Sequence, residues 1–422
     1  MFFRPGRSRI PANFDESKMK SRLVYLALFS TIFADAAGIG IVYPTLTPLL
    51  LGDASPLFDS SQGPAFRSAV YGLMLAIYPL MMCLGSPWLG ALSDRKGRKP
   101  VLLLCLLGNA GGMALTAFGV WQDSLVLICC GRALAGITAA SLPVAQAAII
   151  DLSTADSKAA NLALVTAANG IGFVAGPLLG GIMHQQGAAL WLPYLWAALL
   201  PLASAVLVLL CYADTRTLSD DNANPWRNLW HMLCRPELRQ PLLLLAIFLL
   251  GYYMYFNYMA AFALLHYRFD AWQEAQLLAY YSTCFAVAML FIVPWATRRF
   301  ALERILLLSL SIQPPLVAAA ALGNAPAVLW LLTGPLAIAV ATTYVCLLSI
   351  ASNRTLTERQ GQLMGLISAI NALAWGVAPL ITAALQPLST LLPIVVAALV
   401  LLAGVACMLV ARQRQLLPGG AK

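Results

Sequence analysis

The chain has 422 residues, 60% of them hydrophobic and only 10% charged, with a formal net charge of +9 and a mean hydropathy of +0.79. A water-soluble fold of this length needs long polar stretches and alternating surface patterns, and the sequence lacks both, which excludes the soluble enzyme and nucleic-acid-binding classes. What remains is an integral membrane protein.

A charged tail of 1–22 leads into the first apolar segment, which has no small-residue cleavage pattern and is expected to be a retained helix. Apolar segments follow at 23–51, 68–92, 101–120, 125–150, 160–183, 192–212, 241–265, 275–297, 304–322, 326–350, 361–385 and 388–411. Each is long enough to cross a bilayer, since ~20 residues at ~1.5 Å rise cover a ~30 Å hydrocarbon core. The loop at 52–67 is the one sizeable excursion on the far side. Of the 26 Lys and Arg, 23 fall in alternate loops and the two tails, which places those loops and both termini in the cytoplasm. Only Arg67 and Arg268 lie in the opposite loops, and Arg132 lies within a segment. This asymmetry accounts for the positive charge without a nucleic-acid partner. The long connection at 213–240 divides six segments (23–212) from six more (241–411), and a short tail (412–422) ends the chain.

The nine cysteines form no CxxC or Cys/His cluster, and His184, His231 and His266 sit near segment ends or in loops. No disulfide, metal site or cofactor is expected. No Ser/His/Asp set or Walker-type loop appears, so neither an enzyme nor an ATP-driven pump is expected. The two halves carry a faint repeat offset by about 202 residues, in which Asn169 matches Asn371, Phe173 matches Trp375, Pro177 matches Pro379 and Asp156 matches Glu358. Two related halves suit a transporter that holds its substrate between them near the midplane.

The loop Gly90-Ala-Leu-Ser-Asp94-Arg95-Lys-Gly97-Arg98-Lys-Pro100 packs five charges between two long uncharged runs. Asp94 and Arg98 are four apart and share a helical face. Gly90 is suited to close approach of a neighbouring helix, and Gly97 to a tight turn. This loop resembles the helix 2–3 signature of the major facilitator superfamily. Three more stretches resemble its twelve-helix drug/proton antiporters, which include the tetracycline exporters: Asp35 to Pro48 with Tyr43 in helix 1, Arg132-Ala-Leu-Ala-Gly136 in helix 4, and Gly172-Phe-Val-Ala-Gly176-Pro177-Leu-Leu-Gly180-Gly181 in helix 5. The resemblance spans most of the N-terminal half and, in the C-terminal half, mainly Gln360 to Pro379. It implies an all-α integral membrane protein with twelve transmembrane helices in two pseudo-symmetric six-helix bundles, in a bacterial inner membrane, working as a monomer with a small-molecule substrate and protons. It further implies that Asp94 faces the positive N-terminus of helix 11, near Gly361. With Arg95, Arg98 and Asp151 it would latch the outward-open state.

Two charges fall inside segments. Asp35 lies roughly 18 Å from the start of segment 1 and Arg132 roughly 12 Å from the opposite surface. Across a ~30 Å core these depths coincide, so the two are expected to meet beside the central cavity. Intramembrane charges are costly and mark pathways or proton relays. Asp35 is therefore the expected protonation site and Arg132 the group that tunes it. Helix 7 adds an aromatic wall in which Tyr253 and Asn257 share a face. Together with Tyr43, Gln146, Asn169, Gln313, Asn371 and Trp375 they are the candidate substrate contacts, suited to a largely apolar ligand.

The resemblance breaks in helix 3, where Gly112 takes the place of the tetracycline exporters' acid. No carboxylate is expected inside segments 3, 7, 8, 9, 10 or 11, so coupling to about one proton is expected. The C-terminal counterpart of the basic loop is reduced to Thr297-Arg298-Arg299-Phe300. The leading expectation is proton-coupled export of a small amphiphilic compound or drug. The alternatives are a dedicated metabolite or siderophore transporter, exporting or importing, and a non-transporting receptor on the same fold.

Overall fold

The computed structural model describes residues 13–52, 55–58, 62–154, 157–213, 233, 235–323, 325–355 and 360–413. Among them the regular elements are helices: α1 (Asn13–Leu51), α2 (Pro64–Lys96), α3 (Arg98–Trp121), α4 (Leu125–Ile137), α5 (Ser141–Leu152), α6 (Lys158–Gln185) and α7 (Leu192–Cys211). Then come α8 (Pro236–Tyr267), α9 (Ala271–Val287), a π-helical turn (Ala288–Ile292), α10 (Val293–Arg299), α11 (Leu302–Leu322), α12 (Pro326–Asn353), α13 (Gln360–Leu385) and α14 (Leu392–Gln413). Taking α4 with α5, and α9 with the π turn and α10, twelve helical stretches among the described residues are long and apolar enough to cross a membrane. Most of the expected 213–240 connection, the outer parts of both tails, His231, Asp156 and Glu358 lie outside the described residues.

Local chemistry sets the helix ends. Proline occupies the first turn of α2, α8 and α12, where its missing N–H costs nothing. Ser124 caps α4 through the Leu127 N–H, and Asp270 and Gln273 form a reciprocal capping box at the start of α9. Gly97, at φ 96°, separates α2 from α3 in a conformation that a side chain would resist.

The first apolar stretch begins at Leu23 as expected, and residues 13–22 ahead of it continue α1 as helix. One expectation changes. Segment 4 is broken at Thr138–Ala140 although no proline or glycine stands there. The Thr138 hydroxyl donates back to the Leu134 carbonyl at 2.8 Å, a local bond that competes with the helix ladder. Gly85 of α2 and Gly108 of α3 press against Ile137 and Thr138, so the break is held by packing.

Leucines such as Leu210 and Leu322 are about three-quarters exposed (75% and 76%) on the outer surface, a cost in water that vanishes in hydrocarbon. Inside, association depends on small residues and interhelical hydrogen bonds rather than on the hydrophobic effect. Helix α6 shows this on two faces. A Cβ on Gly172 would reach Ala36 Cβ at 2.7 Å, one on Gly180 would reach the Ile41 carbonyl oxygen at 2.9 Å, and Gly176 lies against the Ala37 carbonyl, so α6 and α1 touch backbone to backbone. On its other face Gly181 meets Ala271 and Ala275 of α9. Likewise Gly72 of α2 meets Pro379 and Ala383 of α13, and Gly376 of α13 meets Leu80 of α2. The α6–α9 and α2–α13 crossings thus tie α1–α7 to α8–α14. Gly176→Val is expected to destabilise the protein by roughly 3 kcal/mol, because the Ala37 backbone cannot retreat. Thermal unfolding in detergent would read this as a lowered Tm.

Candidate functional site

Where the two sets of helices meet, polar and aromatic side chains interlock. The Tyr43 hydroxyl of α1 donates to Asn257 Oδ1 of α8 at 2.9 Å and accepts from Trp375 Nε1 of α13 at 3.2 Å. Asn257 Nδ2 donates to the Trp375 carbonyl at 3.4 Å, and the Tyr253 hydroxyl donates to Asn371 Oδ1 at 3.0 Å. Tyr253 stacks on Trp375 at 5.9 Å, and Tyr78 of α2 meets the same indole edge-on. Tyr252, Phe256 and Tyr281 extend the aromatic wall toward α9. The i,i+4 spacing of Tyr253 and Asn257 brings both onto α13, as a shared helical face requires. Tyr43→Phe would strand Asn257 Oδ1 and Trp375 Nε1 together. It is expected to cost about 1–3 kcal/mol and to lower the Tm while the protein still inserts.

The intramembrane charges do not pair as expected. Asp35, 7% exposed, accepts from Asn109 Nδ2 of α3 at 3.2 Å. Arg132, 5% exposed, donates from Nε to the Met74 carbonyl of α2 at 3.2 Å, and its guanidinium lies 5.2 Å from the Tyr78 ring centroid. Equal depth fixes only the position along each axis; rotation about the axis turns Asp35 toward α3 and Arg132 toward α2. Tyr78 lies within electrostatic reach of both and also touches Trp375, so it joins the charges to the junction.

A second correction concerns the acids. Glu274, in the first turn of α9, is 2% exposed, and its Oε1 lies 3.0 Å from the Thr47 hydroxyl of α1. Hydropathy places the start of that span one residue later, so the carboxylate went uncounted. The expectation of an acid-free segment 8 does not hold.

At the end that carries the basic loop, buried Arg98 ties three helices together. Its Nη1 lies 2.8 Å from Asp94 Oδ1 and donates to Ser93 Oγ at 2.6 Å, and its Nε donates to Asp151 Oδ2 of α5 at 3.1 Å. Among the described residues nothing lies within 4 Å of a Cβ built on Gly90, so the close approach expected there is not made in this state.

Comparison with known proteins fits this arrangement. A profile of the Major Facilitator Superfamily matches residues 28–379, most of the chain. The chain belongs to the major facilitator superfamily. This is a family of membrane transporters and not an enzyme class, and the chain is accordingly a multi-pass membrane protein. Relatives include the class C tetracycline resistance protein of Escherichia coli, 40% identical over 182 residues (43% of either chain). The class B protein of E. coli is 36% identical over 196 residues (46% of this chain and 45% of that one). The matched stretches thus span less than half the length of these relatives. Among solved structures, the human organic anion transporter MFSD10 superposes with a TM-score of 0.70 at 20% identity, covering 92% of this chain and 99% of that one. The transporter PepTSo superposes at 0.74 with 13% identity, covering 94% and 99%. At these identities the likeness is one of fold.

Within the superfamily fold, the candidates named from sequence separate into groups. Tyr43, Tyr253, Asn257, Asn371 and Trp375 form the junction. Gln146 on α5 and Asn169 on α6 are half-buried. Gln313 is fully buried and donates to the Ser309 carbonyl and to Thr343 Oγ1, a strap between α11 and α12 that is separate from the junction. Asn109, Tyr78, Thr47 and Glu274 are the participants that sequence reasoning missed. Of these only Glu274 carried a signal, an acid within one residue of a span.

Proposed function

We propose that this protein is a secondary active transporter that couples export of a small amphiphilic compound to proton entry by alternating access in a bacterial inner membrane. Two six-helix bundles, 23–212 and 241–411, rock about the junction, with both termini in the cytoplasm. The carrying observation is the polar and aromatic junction itself: Tyr43, Asn257 and Trp375 bridge the halves and contact Tyr78, which Arg132 overlies. A static scaffold has no use for two buried, mutually unpaired charges beside such a seam. The matching start of α6 (Lys158) and α13 (Gln360), offset by about 202 residues, supports the pseudo-symmetric halves. The tight crossings at Gly72 and Gly181, with open space at Gly90, support a state closed on the periplasmic side.

Arg132 favours a second reading. Among the described residues it has no carboxylate within ion-pair distance, which leaves it free to take an anionic substrate such as a carboxylate siderophore or another dedicated metabolite. Proteoliposomes under an imposed pH gradient, loaded in turn with tetracyclines, cationic amphiphiles and carboxylate chelators, separate the readings. Gradient-driven flux of the amphiphiles supports export, flux of the chelators alone supports the anion reading, and no gradient-driven flux of any class sinks proton coupling.

A further inference from the structure

Glu274 does not belong to the loop signature, the antiporter stretches or the Asp35 pair, yet it is the most buried carboxylate described, and it sits at a seam between the halves. Its partner Thr47 is a hub. The Thr47 Oγ lies 2.9 Å from the Tyr43 carbonyl, 3.0 Å from Glu274 Oε1 and 3.3 Å from the Tyr71 hydroxyl of α2. One residue beyond Glu274, Ala275 abuts Gly181, so α1, α2, α6 and α9 converge here.

The hydrogens can be counted. A threonine hydroxyl carries one hydrogen, a tyrosine hydroxyl one, a backbone carbonyl none and a carboxylate none. With Glu274 ionised, two hydrogens serve three oxygen–oxygen contacts, and one pair of acceptors faces across an empty gap. With Glu274 protonated, three hydrogens serve three contacts: Thr47 donates to the Tyr43 carbonyl, while Glu274 and Tyr71 both donate to Thr47. We propose that Glu274 is a second proton site that closes the periplasmic gate when it carries its proton and releases it when the proton leaves.

No counter-charge competes for this role. Among the described residues no Lys or Arg lies within ion-pair distance of Glu274, and the titratable groups at hand are Tyr71 on α2 and, around it, Tyr43 on α1 and Tyr258 on α8. His184 stands near the end of α6, His266 and Tyr267 at the end of α8, and α12 carries no titratable residue before Tyr344. Asp270 is committed to capping α9. The first turn of α9 is also the positive end of its dipole, which eases the ionised form once water enters and makes the proton exchangeable. Losing it leaves a charge that must be hydrated, and hydration requires α9 to part from α1 and α6. With Asp35 the cycle then has two carboxylates, and the expectation of one proton becomes two.

This site serves the proton-driven cycle proposed above and rests on that reading, but it can be tested without transport. Purified Asp35→Asn protein in nanodiscs at neutral pH, a background without the other buried carboxyl, should show the infrared carbonyl band of a buried protonated acid, lost when Glu274→Gln is added and displaced when Thr47→Val is added. A band that persists in Glu274→Gln, or that Thr47→Val leaves in place, overturns the proposal. Because glutamine also donates to Thr47, Glu274→Gln should stay closed. Amide exchange over 44–52 and 271–280, corrected for intrinsic rates, should rise with pH in the wild type and become independent of pH in the variant. Equal pH dependence in both proteins overturns the gate, as does a dependence on sodium at fixed pH in its place. A failed flux assay with these results intact would count against proton-coupled export and leave the site standing.

Discussion

Asp35→Asn is expected to reduce pH-gradient-driven flux to the level of empty liposomes while the protein folds, inserts and still binds its substrate. The substitution is nearly isosteric, and an asparagine carbonyl still accepts from Asn109 Nδ2, as the Asp35 carboxylate does in the structure. Stability should therefore change by less than about 1 kcal/mol. What disappears is the only group on α1 that can gain and lose a proton at that depth. Asp35→Ala is the useful contrast: it leaves the Asn109 amide buried without an acceptor, at about 1–3 kcal/mol, so it should lower the Tm as well as the flux. Counterflow of labelled substrate without a gradient reads binding and switching alone, and it should survive in Asp35→Asn. Wild-type gradient-driven flux in Asp35→Asn would remove Asp35 from the proton path and leave Glu274 as the carboxylate to examine.

The spans were legible because hydropathy over twenty residues is a bulk property and the positive ends repeat it independently. The glycine stretch on α6 was legible because close helix packing has few chemical solutions, and Gly172, Gly176 and Gly180 meet α1 at four-residue intervals. What failed depends on rotation and on single residues. Asp35 and Arg132 are expected at one depth, yet their helices turn them toward Asn109 and Met74, and depth carries no record of azimuth. The break after Ile137 rests on one threonine back-bond and two glycines more than twenty-five residues away in sequence, beyond any local pattern. Glu274 fell outside its span because an averaging window is blunted by a charge at its edge, where the structure begins α9 at Ala271. Gln313 could equally have been a ligand contact or a strap, and only the position of Thr343 decides.

Asp94→Asn is expected to slow transport several-fold without harming insertion or the fold. Arg98 keeps its contacts to Asp151 and Ser93, so the corner of α2, α3 and α5 stays tied, and a half-exposed ion pair such as Asp94–Arg98 contributes only about 0–1 kcal/mol. The loss falls on the other state of the proposed cycle, in which Asp94 meets the positive end of α13. A charge at a helix terminus is worth roughly 0.3–1 kcal/mol, up to about 2 when partly buried, so that state should lose a factor of about two to thirty in population. Gly90 provides an independent check. A methyl group there meets open space in the structure, so Gly90→Ala should leave the Tm unchanged. If α13 closes over Gly90 during the cycle, the same methyl obstructs it, and spin-label distances across the cytoplasmic ends should shift toward the open form in both variants. Normal flux in both would reduce the loop to a topological anchor. A lowered Tm in Asp94→Asn would instead assign the charge to the fold, and only slow switching in a stable protein fits a latch.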